Sequence, residues 1–216
     1  MSWLVRMDID VDAVIDIGVI DCYGWHKRLW DCFPGAPEQK RDFLTRIDPL
    51  EGAFRLWVLS PSKPVRPAWC PEDDFQLKEV SASFLSHRYY AFDLRANPTK
   101  AKVQRGSNGE TLRRTDGKRL HGKRIPFVEE TDLRAWLDRQ GVNNGFLISD
   151  AKPLEIGPIQ KTYFTRQGRT GCHYAVQFRG ILEATDHVKL AAAYQGGLGD
   201  ARGFGFGLLL LAPVNL

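Results

Sequence analysis

The chain of 216 residues reads as an α+β protein made of two tandem ferredoxin-like (RRM-like) units, the second carrying a basic β-hairpin. Three observations predict this. Stretches with strand and helix patterning follow one another as strand–helix–strand–strand–strand and then as strand–helix–strand–strand–helix–strand, the plan of that unit. The length and a hydrophobic content of 43% suffice for two compact domains, each with a core of its own. Charge also changes sign along the chain: residues 1–80 hold ten Lys/Arg against fourteen Asp/Glu, and residues 81–216 hold twenty against twelve. The units are expected at 1–84 and 88–216.

In the first unit, "SWLVRMDIDV" alternates as a strand does, and a helix is expected over 21–33 with Asp21 as its N-cap. "RDFLTRIDP" and "GAFRLWVLSP" read as two strands joined by a short Pro/Gly turn. "SPSKPVRPAWCP" is a connection, and "DFQLKEVS" is a fourth strand. The second helix of this unit is weak or missing. In the second unit "YYAFDLRA" is a strand, and 97–126 form a long basic excursion. "EETDLRAWLDRQG" is a helix opened by acids and closed by Gly141. "GFLISD" is a strand, and the segment from "PLEIGPIQ" to "GILEAT" contains a long hairpin turning near "RQGRTG". "DHVKLAAAYQ" is a helix capped by Asp186, and "GFGFGLLLLAPV" is the last strand.

Composition excludes several classes. The longest apolar run, "FGFGLLLLAPV", is too short and too glycine-broken to span a bilayer, so no membrane partner is expected. "MSWLVRMDIDVD" has acids within its first ten residues and no small-residue cleavage site, unlike a secretory signal. Cys22, Cys32, Cys70 and Cys172 form no C-x-x-C pair and have no ligand-spaced histidines. Neither a metal site nor a disulfide framework is expected, and a reducing cytoplasm fits best. The basics of 100–124 are Lys100, Lys102, Arg105, Arg113, Arg114, Lys118, Arg119, Lys123 and Arg124, against only Glu110 and Asp116. A basic half joined to an acidic half points to a polyanion on one side and a protein partner on the other.

"QGGLGDARGFGFG" sets six glycines within twelve residues. A dinucleotide or phosphate-loop fingerprint needs a strand before its glycines and a helix after them. Here a helix precedes and a strand follows, so neither ATP nor a dinucleotide is expected, and no cofactor is. Such a loop at Gly197, Gly199 and Gly203 can still admit a phosphate backbone closely, and Arg202 adds a charged donor.

Taken together the chain resembles the CasE (Cse3) family, the CRISPR-repeat-processing endoribonucleases of the type I-E Cascade complex. Three blocks carry the resemblance: Y-x-x-H at Tyr23 and His26; "LRANPTK" at 94–100 with "GKR" at 117–119; and "GGLGDARGFGFGLLLLAP" near the end. The resemblance implies metal-independent cutting of CRISPR repeat RNA at the base of its stem-loop, with the product crRNA kept bound beside other Cascade subunits. It places Tyr23 and His26 at the scissile phosphate. It makes Lys161, Arg166 and Arg169 candidates for a basic hairpin in the groove of the RNA stem, and Arg95 and Lys100 candidate RNA contacts. Where some relatives carry a lysine beyond the histidine, this chain has Asp31, so Lys27 and Arg28 are the local sources of positive charge. Asp200 is expected to turn away from phosphate or to cap a backbone amide.

The residues themselves say how such a site could work. On a helical wheel Cys22, Trp25, Leu29 and Cys32/Phe33 form the core stripe. Tyr23, His26 and Trp30 form the adjacent stripe, at the edge of burial. Without a metal, the ribose 2′-OH attacks its own phosphate, leaving a 2′,3′-cyclic (or 3′-) phosphate and a 5′-OH. The protein then supplies a base, an acid and donors to the phosphorane. His26 suits either proton transfer. Tyr23, whose phenol titrates near pH 10, suits orientation and hydrogen bonding. The same fold could also serve a non-catalytic RNA-binding scaffold subunit.

Overall fold

A computed structural model describes residues 2–35, 41–117 and 120–216. Lys118 and Arg119, in the basic run and the "GKR" block, lie outside the described residues. The first unit opens with β1 (Ser2–Asp10), α1 (Val11–Asp16) and α2 (Cys22–Arg28), and α2 tightens into a 3₁₀ turn at Leu29–Cys32. β2 (Leu44–Leu50), β3 (Ala53–Ser60) and β4 (Phe75–Val80) complete it. The sheet order is β2-β3-β1-β4, antiparallel throughout. Val5, Met7 and Ile9 of β1 point to one face and pack with Leu56, Val58, Trp25 and Leu29. Alternation at period two thus fixes which face meets the helix. The second helix of this unit is absent among the described residues: 61–74 connect β3 to β4 without one, and a short 3₁₀ turn at Ala82–Ser86 follows β4.

The second unit runs β5 (Tyr89–Ala96), β6 (Thr99–Val103), β7 (His121–Pro126), α3 (Glu130–Asn143), β8 (Phe146–Ser149), β9 (Glu155–Ile156), β10 (Gln160–Arg166), β11 (Arg169–Ala184), α4 (His187–Gly196) and β12 (Leu209–Pro213). Its main path is β10-β11-β5-β12. The long β11 pairs β10 along its first half and β9 and β8 along its second. Tyr90, Phe92, Leu94 and Phe178 pack beneath Trp136, Leu137 and Leu190 of the two helices. Both units therefore have the ferredoxin-like strand order.

Four local expectations are refined. The first strand, expected through Val11, ends at Asp10, and Val11–Asp16 form α1. The helix expected over 21–33 is α-helical only through Arg28. The excursion at 97–126 carries the two-stranded arm β6–β7. Gly141 does not end α3; it lies within it, and a Cβ there would meet the Phe146 carbonyl at 2.6 Å. The reversal falls at Gly145, whose φ is +78°.

A small apolar cluster of Leu44, Leu59, Val80, Tyr194 and Leu208 joins the units. Beside it Arg46 of β2, with a side chain only 3% exposed, bonds Asp48 on its own strand and Asp93 on β5.

Candidate RNA-cleavage site

Asp21 starts α2. Its backbone is extended, and its Oδ1 accepts the Gly24 N–H at 2.8 Å, relieving one unpaired donor of the first turn. Its Oδ2 accepts the Thr165 N–H of β10 at 2.7 Å. One carboxylate thus fixes the helix and the hairpin of the other unit together.

With Cys22, Trp25 and Leu29 buried, Tyr23 and His26 occupy the half-buried stripe. Their rings stack at 6.1 Å and 22°. Each lies 6.3 Å from Phe204. Phe204 belongs to a 3₁₀ turn, Arg202–Phe204, inside the glycine block. It packs against Phe164 of β10 at 4.6 Å and His173 of β11 at 4.8 Å. Helix, hairpin and glycine loop therefore meet in one aromatic floor.

Positive charge surrounds this floor. The Arg166 guanidinium lies 5.9 Å from the Tyr23 ring centre, and the Lys27 ammonium lies 5.2 Å from it. His26 is held below the ordinary histidine pKa by burial first, then by the charges of Arg41 and Arg166. Its Nδ1 is buried and has no hydrogen-bond partner among the described residues. His173 is likewise pushed down by burial, with a buried, unpartnered Nε2.

The remaining candidates divide by what they touch. Arg28 donates through Nε and Nη2 to the Ile17 carbonyl at 3.1 and 2.7 Å, which turns it from the Tyr23–His26 stripe. Asp31 accepts the Trp69 indole N–H at 2.9 Å. Lys161 and Arg169 are exposed on the hairpin, and Arg169 is in register with Arg166 beside the turn at Gln167 and Gly168. Arg95 is half-buried, with its pKa lowered chiefly by burial, and lies 5.9 Å from the Phe206 ring. Lys100 sits apart on the arm, 5.0 Å from Phe127. Gly197 and Gly199 adopt positive φ and pack tightly, the first against Leu44 and Arg202, the second against Trp136. Gly203 lies in the 3₁₀ turn, and the Arg202 side chain folds back onto the Gly196 carbonyl. Asp200 turns to the arm, where it pairs with Arg124 and accepts from the Thr99 hydroxyl.

Sequence reading missed Arg41, Phe204 and His173. Arg41 precedes a strand and shows no local motif. Phe204 was hidden among glycines, and His173 had no visible partner along the chain.

A family model described as "CRISPR associated protein" matches residues 2–213. The chain is also 30% identical over 195 residues to the CRISPR system Cascade subunit CasE of Escherichia coli (strain K12), covering 90% of this chain and 93% of that one. The chain belongs to the CasE family. A second CasE-family relative, the CRISPR-associated endoribonuclease Cse3 of Thermus thermophilus, is 27% identical over 209 residues, or 88% of this chain and 90% of its own. The solved structure of Thermus thermophilus Cse3 bound to an RNA representing a pre-cleavage complex superposes with a TM-score of 0.69 at 24% identity. That likeness covers 98% of this chain and 99% of that one, and it bears on the fold. Among the described residues no helix is long and apolar enough to cross a membrane, and the four cysteines are free thiols.

Proposed function

We propose that this CasE-family chain is a metal-independent endoribonuclease that cuts CRISPR repeat RNA at the base of its stem-loop and keeps the crRNA product as a cytoplasmic Cascade subunit. The relatives' names supply the substrate class: one is a Cascade subunit and the other an endoribonuclease. The observation that carries the reading onto this chain is the stacked Tyr23–His26 pair, set against Phe204 and beside Arg166 from the hairpin. The working division remains 1–84 and 88–216, with cleavage where helix α2 of the first meets the hairpin of the second.

In this mechanism the 2′-oxygen forms a bond to phosphorus as the bond from phosphorus to the 5′-oxygen breaks. His26, kept neutral by burial and by neighbouring positive charge, is in the form that accepts the 2′-hydroxyl proton. The 5′-oxygen leaves and takes a proton from solvent water to become the 5′-hydroxyl. The Tyr23 hydroxyl and Lys27 hydrogen-bond and orient the substrate. Lys161 and Arg169 contact the stem phosphates, Lys100 extends that contact along the arm, and Arg202, Gly197, Gly199 and Gly203 shape the loop beside the RNA. Arg95 supports the wall beneath Phe206, and Arg28 secures the segment preceding α2.

The test is single-turnover cleavage of a repeat stem-loop RNA in excess EDTA, with the products' ends mapped. The wild type should cut once and leave a 2′,3′-cyclic phosphate, while His26→Ala should bind without cutting. Binding without cutting by the wild type would instead identify a scaffold subunit.

A further inference from the structure

Several arginines on this fold pair with a carboxylate. Arg46 pairs with Asp48 and Asp93, Arg55 with Asp8, and Arg124 with Asp200. Arg41 has none among the described residues, although it is half-buried. Burial, and then the nearby charge of Arg202, push its pKa down. A desolvated guanidinium without a counter-charge is unfavourable, and the fold must hold it there by other means.

Those means are visible. Arg41 Nη1 donates to the Arg202 carbonyl at 2.9 Å, and the guanidinium carbon lies 5.8 Å from the Phe43 ring centre. At Gly203 a Cβ would reach within 3.5 Å of Nη1, so the head group lies directly against the three-residue turn. The next residue of that turn, Phe204, packs on His26. Arg41 and His26 therefore flank the same turn, one held by its carbonyl and the other by its aromatic ring. Arg166 reaches the Tyr23 ring from the hairpin, and it too has no carboxylate partner among the described residues. With one hydrogen bond made among the described residues, most of Arg41's five N–H donors are uncommitted there.

We propose that Arg41 and Arg166 form a two-sided clamp for the scissile phosphodiester, in which Arg41 is a catalytic residue that hydrogen-bonds the non-bridging oxygens as phosphorane charge develops. The proposal rests on the endoribonuclease reading above. Neither arginine gains or loses a proton. Each supplies donors whose strength grows with the charge on oxygen, in a partly desolvated setting. The phosphate of the substrate supplies the counter-charge that Arg41 and Arg166 do not find among the described residues.

The experiment compares full-length wild type, Arg41→Ala and Arg41→Lys in three measurements. In single-turnover cleavage of repeat stem-loop RNA, Arg41→Ala should be slower by about 10²–10³-fold, as for loss of one donor to a developing oxyanion. Arg41→Lys should recover part of the rate, since it keeps the charge and loses the fork. RNA affinity should fall by about tenfold or less, as one phosphate contact among many is lost. In the RNA-free protein, NMR titration should show the His26 midpoint rising in Arg41→Ala, and inorganic phosphate should shift the His26 signal less than in wild type. A merely structural role would move neither. Unchanged cleavage in Arg41→Ala, or an unmoved His26 midpoint, would overturn the proposal. If the wild type fails to cut the RNA, the endoribonuclease reading falls. The midpoint and phosphate titrations would then still decide whether Arg41 holds an anion beside His26.

Discussion

The two carboxylate oxygens of Asp21 divide their work: Oδ1 caps α2 through Gly24, and Oδ2 accepts from Thr165, a residue 144 positions away on the hairpin. Helix start and hairpin position are therefore one linkage. Asp21→Ala should lose about 1–2 kcal/mol of stability, as for an N-cap removed. It should slow cleavage by tenfold or more, on the order expected when a reactive geometry loosens. Asp21→Asn keeps a capping oxygen and should recover most of the melting temperature. Denaturation and single-turnover cleavage check both, and wild-type cleavage by Asp21→Ala would detach the hairpin from catalysis.

The charge around His26 gives the pH dependence its sign. Burial and then Arg41 and Arg166 disfavour the imidazolium, so the pKa lies below the ordinary 6.5. A base acts when neutral, so cleavage at limiting RNA should rise with pH through a midpoint below that value. Arg166→Ala removes one repelling charge and should move the midpoint upward. Stability follows the same sign. His26 and His173 both bind a proton less readily folded than unfolded. Their effect is absent well above about pH 6.5 and destabilises the fold as pH falls from there through the lowered folded pKa values. Urea melts at pH 7 and pH 5 should show this loss, and His173→Asn should reduce it. A cleavage limb centred above 6.5 would remove His26 from the role of base.

How much of this was legible depends on where each partner lies in the sequence. β1 and β5 could be read because their buried residues alternate: Val5, Met7 and Ile9 in one, Tyr90, Phe92 and Leu94 in the other. α1 could not, because "MDIDVDAVIDI" goes on alternating acids and apolars past Asp10, and only Val14 of the helix is buried. Tyr23 and His26 were legible because they share one helix at helical spacing. Lys27 and Arg28 were the cations that sequence neighbourhood could offer. Arg41 meets the turn across 161 positions, and the meeting depends on how two units dock, which no local pattern encodes.

Two glycines with the same backbone preference should differ in cost. Gly168 has a φ of +72° with nothing within 4 Å of a Cβ, whereas Gly207 has a φ of +85° and its Cβ would lie 2.4 Å from the Leu198 carbonyl. Gly207 also accepts from Leu198 and donates to the Arg95 carbonyl, both at 2.8 Å, so it cannot easily move aside. Gly168→Ala should cost about 1–2 kcal/mol, the penalty of a left-handed alanine. Gly207→Ala should cost roughly 2–5 kcal/mol once overpacking is added. Equal losses in urea denaturation would show that the glycine block is free to relax.

Arg46 is where the two sheets are tied by charge. Its Nε sits 2.9 Å from each Asp48 oxygen, and its Nη1 sits 2.8 Å from Asp93 Oδ1 and 2.9 Å from the Asp93 carbonyl. With the guanidinium almost wholly buried, removing it strands Asp48 and takes one of two arginine partners from Asp93, which keeps Arg179 at 3.0 Å. Arg46→Ala should therefore lose about 3–5 kcal/mol, the cost of breaking a buried ion pair from one side. Arg46→Lys should fall between, because one ammonium cannot reproduce the planar fork toward both acids. Since Asp48 and Asp93 belong to different sheets, the Ala variant should also unfold less cooperatively, the units separating before either melts. Urea transitions followed in parallel by tryptophan fluorescence and far-UV circular dichroism would diverge. A loss below about 1 kcal/mol, the range of exposed pairs, with coincident transitions would mean that the apolar cluster around Leu44 and Tyr194 holds the units together without this arginine.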